Sequence, residues 1–230
     1  VLLSRKRIKA HFYTIKKQHI MKTIITVVFL CIATLGNSQT PYQKGMGKAF
    51  ELWDQNKLDE ASNLFQRIAA AEEEQWLPDY YTAQIYILKC WNTWEDQKEA
   101  TLKPNLDKAQ EHINNMLTVD KDNPYAKQMQ AQLYTVWVAY DGAKYGMKYS
   151  GKVAELYAKA NAAEPENPIF IFNKAEWDMG AARYFGGDTT PYCKEIKRAI
   201  DLFATFKPAT EFHPSYGLER AQEAYADCNK

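Results

Sequence analysis

The sequence predicts an all-α chain built from stacked helical hairpins, and three observations carry that expectation. Val119-Asp-Lys-Asp-Asn-Pro-Tyr-Ala126 returns 44 residues later as Ala163-Glu-Pro-Glu-Asn-Pro-Ile-Phe170, each time where one apolar-periodic segment stops and another begins. A second phrase, Ala83-Gln-Ile-Tyr86, returns as Ala131-Gln-Leu-Tyr134, with weaker echoes at Ala49-Phe-Glu-Leu52 and Ala175-Glu-Trp-Asp178. From Gln43 onward apolar residues recur at three- and four-residue spacing, and strand alternation is missing. Self-similarity at this period marks helix pairs that bury a continuous core only by stacking on their neighbours.

The elements follow in order. Leu58, Ala61, Leu64, Phe65 and Ile68 form one helical stripe, and Glu72-Glu-Glu74 closes that helix as a solvated acidic face. Leu106, Ala109, Ile113, Met116 and Leu117 form the next stripe, followed by Val153, Leu156, Tyr157 and Ala160, then Ile196, Ala199, Ile200 and Phe203. Pro78, Pro104, Pro124, Pro168 and Pro191 each fall near an expected helix start, where the missing N–H costs nothing. Asp or Asn precedes several of them as a cap. Phe185-Gly-Gly-Asp188 predicts a turn in which paired glycines reverse the chain, Phe185 plugs the core, and Asp188 or Thr189 caps the helix opening near Pro191. Pro214-Ser-Tyr-Gly through Cys228 predicts one amphipathic helix that lids the last pair.

The spacing of small and large residues resembles the tetratricopeptide repeat family. In the first unit Ala49, Leu52, Ala61, Phe65 and Ile68 stand at that family's alternating small and large positions, with Ile68 where Ala is usual. Ala83, Tyr86, Ala109, Ile113 and Met116 correspond in the second unit, and Ala131, Tyr134, Val153, Tyr157 and Ala160 in the third. The fourth departs, with Asp178 and Tyr192 at two of the positions. The resemblance implies a tetratricopeptide-like helical-hairpin solenoid of about four pairs, 43–75, 78–120, 124–163 and 168–206, with a capping helix over 214–229. Segments 87–104 and 138–150 are insertions relative to that pattern. The end of the chain, from Tyr184-Phe-Gly-Gly-Asp188 to Pro214-Ser-Tyr-Gly217, also looks like small secreted repeat proteins of Bacteroidetes-type bacteria, which usually carry Trp where Tyr216 stands.

Residues 39–230 are expected to form this single domain, and the first 38 residues read as an address. Met21-Lys22, the apolar run Thr23 to Leu35 and the small residues Gly36-Asn-Ser38 have the order of a secretory signal peptide over 21–38. Residues 1–20 read as a mis-called upstream extension. The leader holds none of the acidic residues, so the mature chain has 22 basic against 28 acidic residues and a formal net charge of −6. No basic surface for nucleic acid or anionic lipid is indicated, and no stable membrane insertion is expected after cleavage. Cys90, Cys193 and Cys228 remain, an odd number that is not a disulfide framework. Cys193 would start one helix and Cys228 end the antiparallel one that follows, which makes them a candidate pair.

Motifs for chemistry are weak. Gly146-Met-Lys-Tyr-Ser-Gly-Lys152 matches a phosphate loop up to Val153, where Ser or Thr is needed, and no strand precedes it; a glycine-rich helix–helix connection explains it better. Tyr140 and Lys144 have the spacing some reductases use, without the dinucleotide fold those enzymes need. Only His112 and His213 survive processing, and no zinc or nucleophile-elbow motif occurs, so neither a cofactor, a metal nor catalysis is expected.

What stands out is the aromatic content, with Trp53, Trp76, Trp91, Trp94, Trp137 and Trp177 spread over the units. Core packing accounts for most such residues, while some would anchor a binding face. The resemblance implies that the first helix of each pair faces a groove, which places Met46, Phe50, Tyr80, Gln84, Gln128, Gln132, Phe172 and Glu176 there. Lys and Asn are missing at these positions, so the family's clamp for chaperone carboxylates is not expected. The leading expectation is a secreted or periplasmic, non-catalytic scaffold that binds a protein or peptide. The alternative is a small-molecule-binding accessory protein of a transport system, with its ligand among Tyr80, Trp91, Trp94, Trp137 and Tyr140. An open groove would favour the first, a closed aromatic pocket of a few hundred Å³ the second. Mass spectrometry of the protein from its native host is expected to find a chain that begins at Gln39; intact Val1 or Met21 in the periplasm would defeat the leader assignment.

Overall fold

The Asn-Pro phrases found in the sequence are where the hairpins are joined. Asn123 accepts hydrogen bonds from the backbone N–H groups of Tyr125 and Ala126 at 2.9 and 3.1 Å, and Asn167 accepts one from Ile169 at 3.0 Å. Each is the N-cap of a helix whose first residue is proline, so the ring removes an N–H that had no intrahelical partner while the amide satisfies the next ones. Asn167 does more than cap. Its Nδ2 donates to Tyr125 Oη at 3.0 Å and to Glu164 Oε2 at 2.8 Å, tying the start of one repeat to the start of the previous one.

A computed structural model describes residues 39–228 apart from Gln97. Among them are the helices α1 (Pro41–Asp54), α2 (Leu58–Ala71), α3 (Leu77–Asn92), α4 (Glu99–Val119), α5 (Pro124–Tyr140), α6 (Gly142–Ala163), α7 (Pro168–Phe185), α8 (Thr190–Phe203) and α9 (Leu218–Asp227). A 3-10 turn, Trp94–Asp96, lies between α3 and α4, and the described residues contain no strand. The chain is an all-α stack of helical hairpins, α1/α2, α3/α4, α5/α6 and α7/α8, with α9 packed on α8. The unit that carries this stack begins at Gly45. The leader assigned to 21–38 and the extension at 1–20 lie outside the described residues.

The small positions of the repeat pattern pack as their spacing requires. Ala49, Ala61, Ala83, Ala109, Ala131, Val153 and Ala160 are fully buried, and Ala175 nearly so, because helices approach closely only where bulk is missing. A Cβ added at Gly45 would lie 3.1 Å from Ile68 Cδ1. One buried polar cluster holds α4 to the start of α3. Asp79 Oδ1 meets His112 Nδ1 at 2.6 Å and accepts from Asn115 Nδ2 at 3.0 Å, so a carboxylate that costs energy to desolvate is partnered.

Several expectations are corrected. Pro104 lies inside α4, which opens five residues earlier; Thr101 Oγ1 accepts from the Lys98 N–H at 3.2 Å and so closes a capping box there. Gly146–Lys152 is not a connection but part of α6, and the insertion over 138–150 lengthens α5 and α6 with only Asp141 between them. Asp141 makes this sharp reversal by accepting from the Lys144 N–H at 2.9 Å. The capping helix starts at Leu218 rather than at Pro214, because Gly217 takes φ +113° and breaks the helical path. Phe185 does not plug the core: it and Tyr184 are each 81% exposed. Gly186 alone of the two glycines takes a left-handed φ, +71°, as the C-cap of α7, and the Asp188 carboxylate accepts from the Thr190 N–H at 2.8 Å.

Two outcomes follow. Gly186→Ala should cost about 1 kcal/mol through its left-handed backbone, while Gly187→Ala and Phe185→Ala leave thermal melting nearly unchanged. Asn167→Ala should destabilise by about 2–3 kcal/mol in urea titration, against about 1 kcal/mol for Asn123→Ala, because it also strands Tyr125 and Glu164.

Candidate functional site

The first helices of the hairpins, α3, α5 and α7, would line an open inner face if the chain ended with α8. Instead, residues 204–217 run back across that face as a strap. Its anchors are aromatic. Phe212 stacks on Phe50 with centroids 5.9 Å apart, and its carbonyl accepts from Tyr81 Oη at 2.7 Å. His213 stands edge-on to Trp76 at 5.2 Å and Tyr125 at 6.0 Å, and burial there lowers its pKa, with Glu164 opposing the shift. Pro214 is buried, and the hydroxyls of Tyr216 and Tyr80 are hydrogen-bonded to each other. The strap explains why α3 and the first half of α7 are apolar nearly all round: Leu77 to Ala83 and Pro168 to Asn173 are buried without interruption. A helix covered on every side has no polar face to show.

Between the strap and the helices lies a cavity of about 620 Å³. Gln84, Ile87, Leu88 and Trp91 of α3 form one wall; Ile169, Phe172, Asn173 and Glu176 of α7 form another. Gln132 and Thr135 come from α5, Tyr157 from α6, and 215–220 close the remaining side. Arg220 donates to both carboxylate oxygens of Glu176, from Nη2 at 2.9 and 2.8 Å and from Nε at 3.2 Å. Burial raises the pKa of Tyr157 and Tyr216, so both present neutral phenols to the cavity. Gln84 Oε1 is a buried atom with no protein partner.

The structure brings some of the residues singled out in the sequence into this wall and places the others elsewhere. Gln84, Trp91, Gln132, Phe172 and Glu176 line the cavity. Trp94 stacks on Trp91 at 4.7 Å, outside the lining, and both rings are 36% exposed. Met46 is fully buried and Phe50 lies under the strap, so neither faces a groove. Tyr80 is fully buried with its hydroxyl on Tyr216. Gln128 is fully buried with neither amide atom bonded to protein. Trp137 packs on Tyr145 at 4.8 Å, and Tyr140 Oη accepts from the Glu99 N–H at 2.9 Å, so these two join α5 to its neighbours. Trp53, Trp76 and Trp177 also pack against other side chains. Missed from the sequence were Ile87, Leu88, Thr135, Tyr157, Ile169, Asn173 and the whole strap side, Ser215 to Arg220. Tyr157 had been assigned to packing by its repeat position, and a segment with no helical period gave no sign of where it would lie.

Cys193 and Cys228 form a disulfide with their Cα atoms 6.0 Å apart, joining the start of α8 to the end of α9. Cys90 is a buried thiol outside the disulfide, and burial pushes its pKa up to about 11, which leaves it inert at neutral pH.

No family model matches the sequence, and no curated protein matches it. The fold is shared with a solved structure, the HusA haemophore from Porphyromonas gingivalis, at a TM-score of 0.71 over 84% of this chain and 94% of that one. Sequence identity is 18%, so the likeness is one of fold. Among the described residues no helix is long and apolar enough to cross a membrane, and no three metal-ligating side chains cluster.

In α9 only Ala221 is fully buried, so the bridge carries much of its attachment. Reduction, or Cys228→Ser, should lower stability by about 2–4 kcal/mol in calorimetry with and without reductant; an unchanged transition would show that packing alone holds α9.

Proposed function

We propose that this chain is a secreted or periplasmic, non-catalytic binding protein that carries a flat, largely apolar small molecule of about tetrapyrrole size in the cavity under the strap. The observation that supports this most directly is the strap, which narrows the inner face to a half-open cavity. The inner face that a tetratricopeptide-like register offers to a peptide is covered by the chain's own residues 204–217, and what is left is an aromatic-walled space of about 620 Å³. Cavities of roughly 300–1,000 Å³ are the usual size for small ligands. Of the two ligand classes considered from the sequence, this geometry favours the small molecule over the peptide.

The shared fold with a haemophore supports the same class and suggests haem as the probe. The walls suit the faces of such a ring: Ile87, Leu88, Trp91 and Phe172 supply apolar surface, while Tyr157, Tyr216 and the amides supply hydrogen-bonding edges. The lining holds no imidazole, thiol or thioether. A metal at the centre of a bound ring would meet carboxylate, amide, alcohol or phenol oxygens, and burial keeps the phenols protonated. Ring contact is therefore the main source of affinity in this reading.

Haemin titrated into the oxidised protein should quench tryptophan emission saturably. Trp91→Ala and Leu88→Glu should each weaken binding at least about tenfold while leaving the circular dichroism spectrum unchanged. Folded protein that shows no saturable response to haemin, or binding indifferent to both substitutions, would sink the proposal.

A further inference from the structure

The cavity is not chemically uniform. Its apolar wall, Ile87, Leu88, Trp91 and Phe172, belongs to α3 and α7, whereas the side closed by 215–220 is polar. Arg220 is the one cationic side chain on the lining. Its position is fixed rather than free, because Nε and Nη2 are held by Glu176 and the guanidinium carbon stands 6.0 Å from the centre of the Phe172 ring. Glu176 uses one edge of the fork. Nη1, which presents two further N–H donors, makes no hydrogen bond to a described residue, and 63% of the Arg220 side chain is accessible. With Nε and Nη2 committed to Glu176, the two N–H groups of Nη1 point in fixed directions and are left to receive a second carboxylate. The ion pair also joins α7 to α9, so the donor stands where the polar side of the cavity meets the apolar one.

We infer that the ligand of this cavity carries a carboxylate and that Arg220 receives it, with the apolar body of the ligand against Trp91, Leu88 and Phe172. The inference rests on the proposed function and narrows it from any flat apolar molecule to an amphipathic acid. Glu176 and Glu219 also face this side, so the local charge does not attract anions from a distance. Recognition comes instead from short, directed hydrogen bonds to a guanidinium already oriented. Within the lining, the only other hydrogen-bond donors on the same side are the hydroxyls of Ser215 and Tyr216 and backbone N–H groups at the start of α9.

The test compares haemin with its dimethyl ester, which has the same ring and no free carboxylate, on the oxidised full chain and on Arg220→Gln and Arg220→Lys. The expected result is that the native protein binds the acid at least about tenfold more tightly than the ester. Arg220→Gln should bring the acid down to the ester's affinity and leave ester binding unchanged, while Arg220→Lys, which keeps the charge and loses the fork, falls between. Equal binding of acid and ester by the native protein overturns the inference and leaves the proposed function standing. Equal losses for acid and ester in Arg220→Gln also overturn it, showing that Arg220 acts only by holding α9 to α7. Failure of the native protein to bind either ring overturns both.

Discussion

The return of the strap across the inner face is the constraint on which the site depends. Its grip is a set of aromatic contacts and two tyrosine hydrogen bonds, with Phe212 on Phe50, His213 against Trp76 and Tyr125, Tyr81 bonded to the Phe212 carbonyl and Tyr80 bonded to Tyr216. Every one of these joins residues far apart in the chain, so they form only once the hairpins have stacked. Aromatic pairs of this kind add to area burial by favourable edge and face geometry, and the buried phenols have partners for their hydroxyls. Beside the strap, Gln84 Oε1 is a buried atom left without a protein partner.

This cover changes what the hairpin stack can do. A bare solenoid offers an extended surface shaped for a peptide or a partner helix. Here that surface is occupied in cis, and the remaining space is bounded by α3, α5, α6, α7 and the strap together. No single element contains the site. The Cys193–Cys228 bridge secures α9 at its end, and the Arg220–Glu176 pair stands near its start, at the polar side of the cavity.

Much of the helical frame was legible before any coordinates. The 44-residue phrase marked the joints because Asn-Pro is both a cap and a helix start, and the alanines marked close approaches because a methyl group is what such contacts accommodate. Gly217 and Gly186 were less readable. Both take a positive φ, yet one ends a strap and the other a helix, and local composition does not separate those roles. Phe185 shows the same limit: a large apolar residue beside a glycine turn was assigned to the core by its chemistry, and its position at the tip of a hairpin left it in solvent.

The candidate site divides along the same line. Gln84, Gln132, Phe172 and Glu176 were placed by the tetratricopeptide resemblance, which puts the first helix of each pair on the inner face. Tyr157, Tyr216 and Arg220 were not, because their neighbours are set by how a non-periodic segment crosses helices from other repeats. The sequence by itself determined the helices, their pairing and the residues at which they touch, since these depend on spacing within a few turns. Only the tertiary structure decided that the inner face is covered and a cavity remains, because a strap has no repeating pattern and its path is set by long-range contacts.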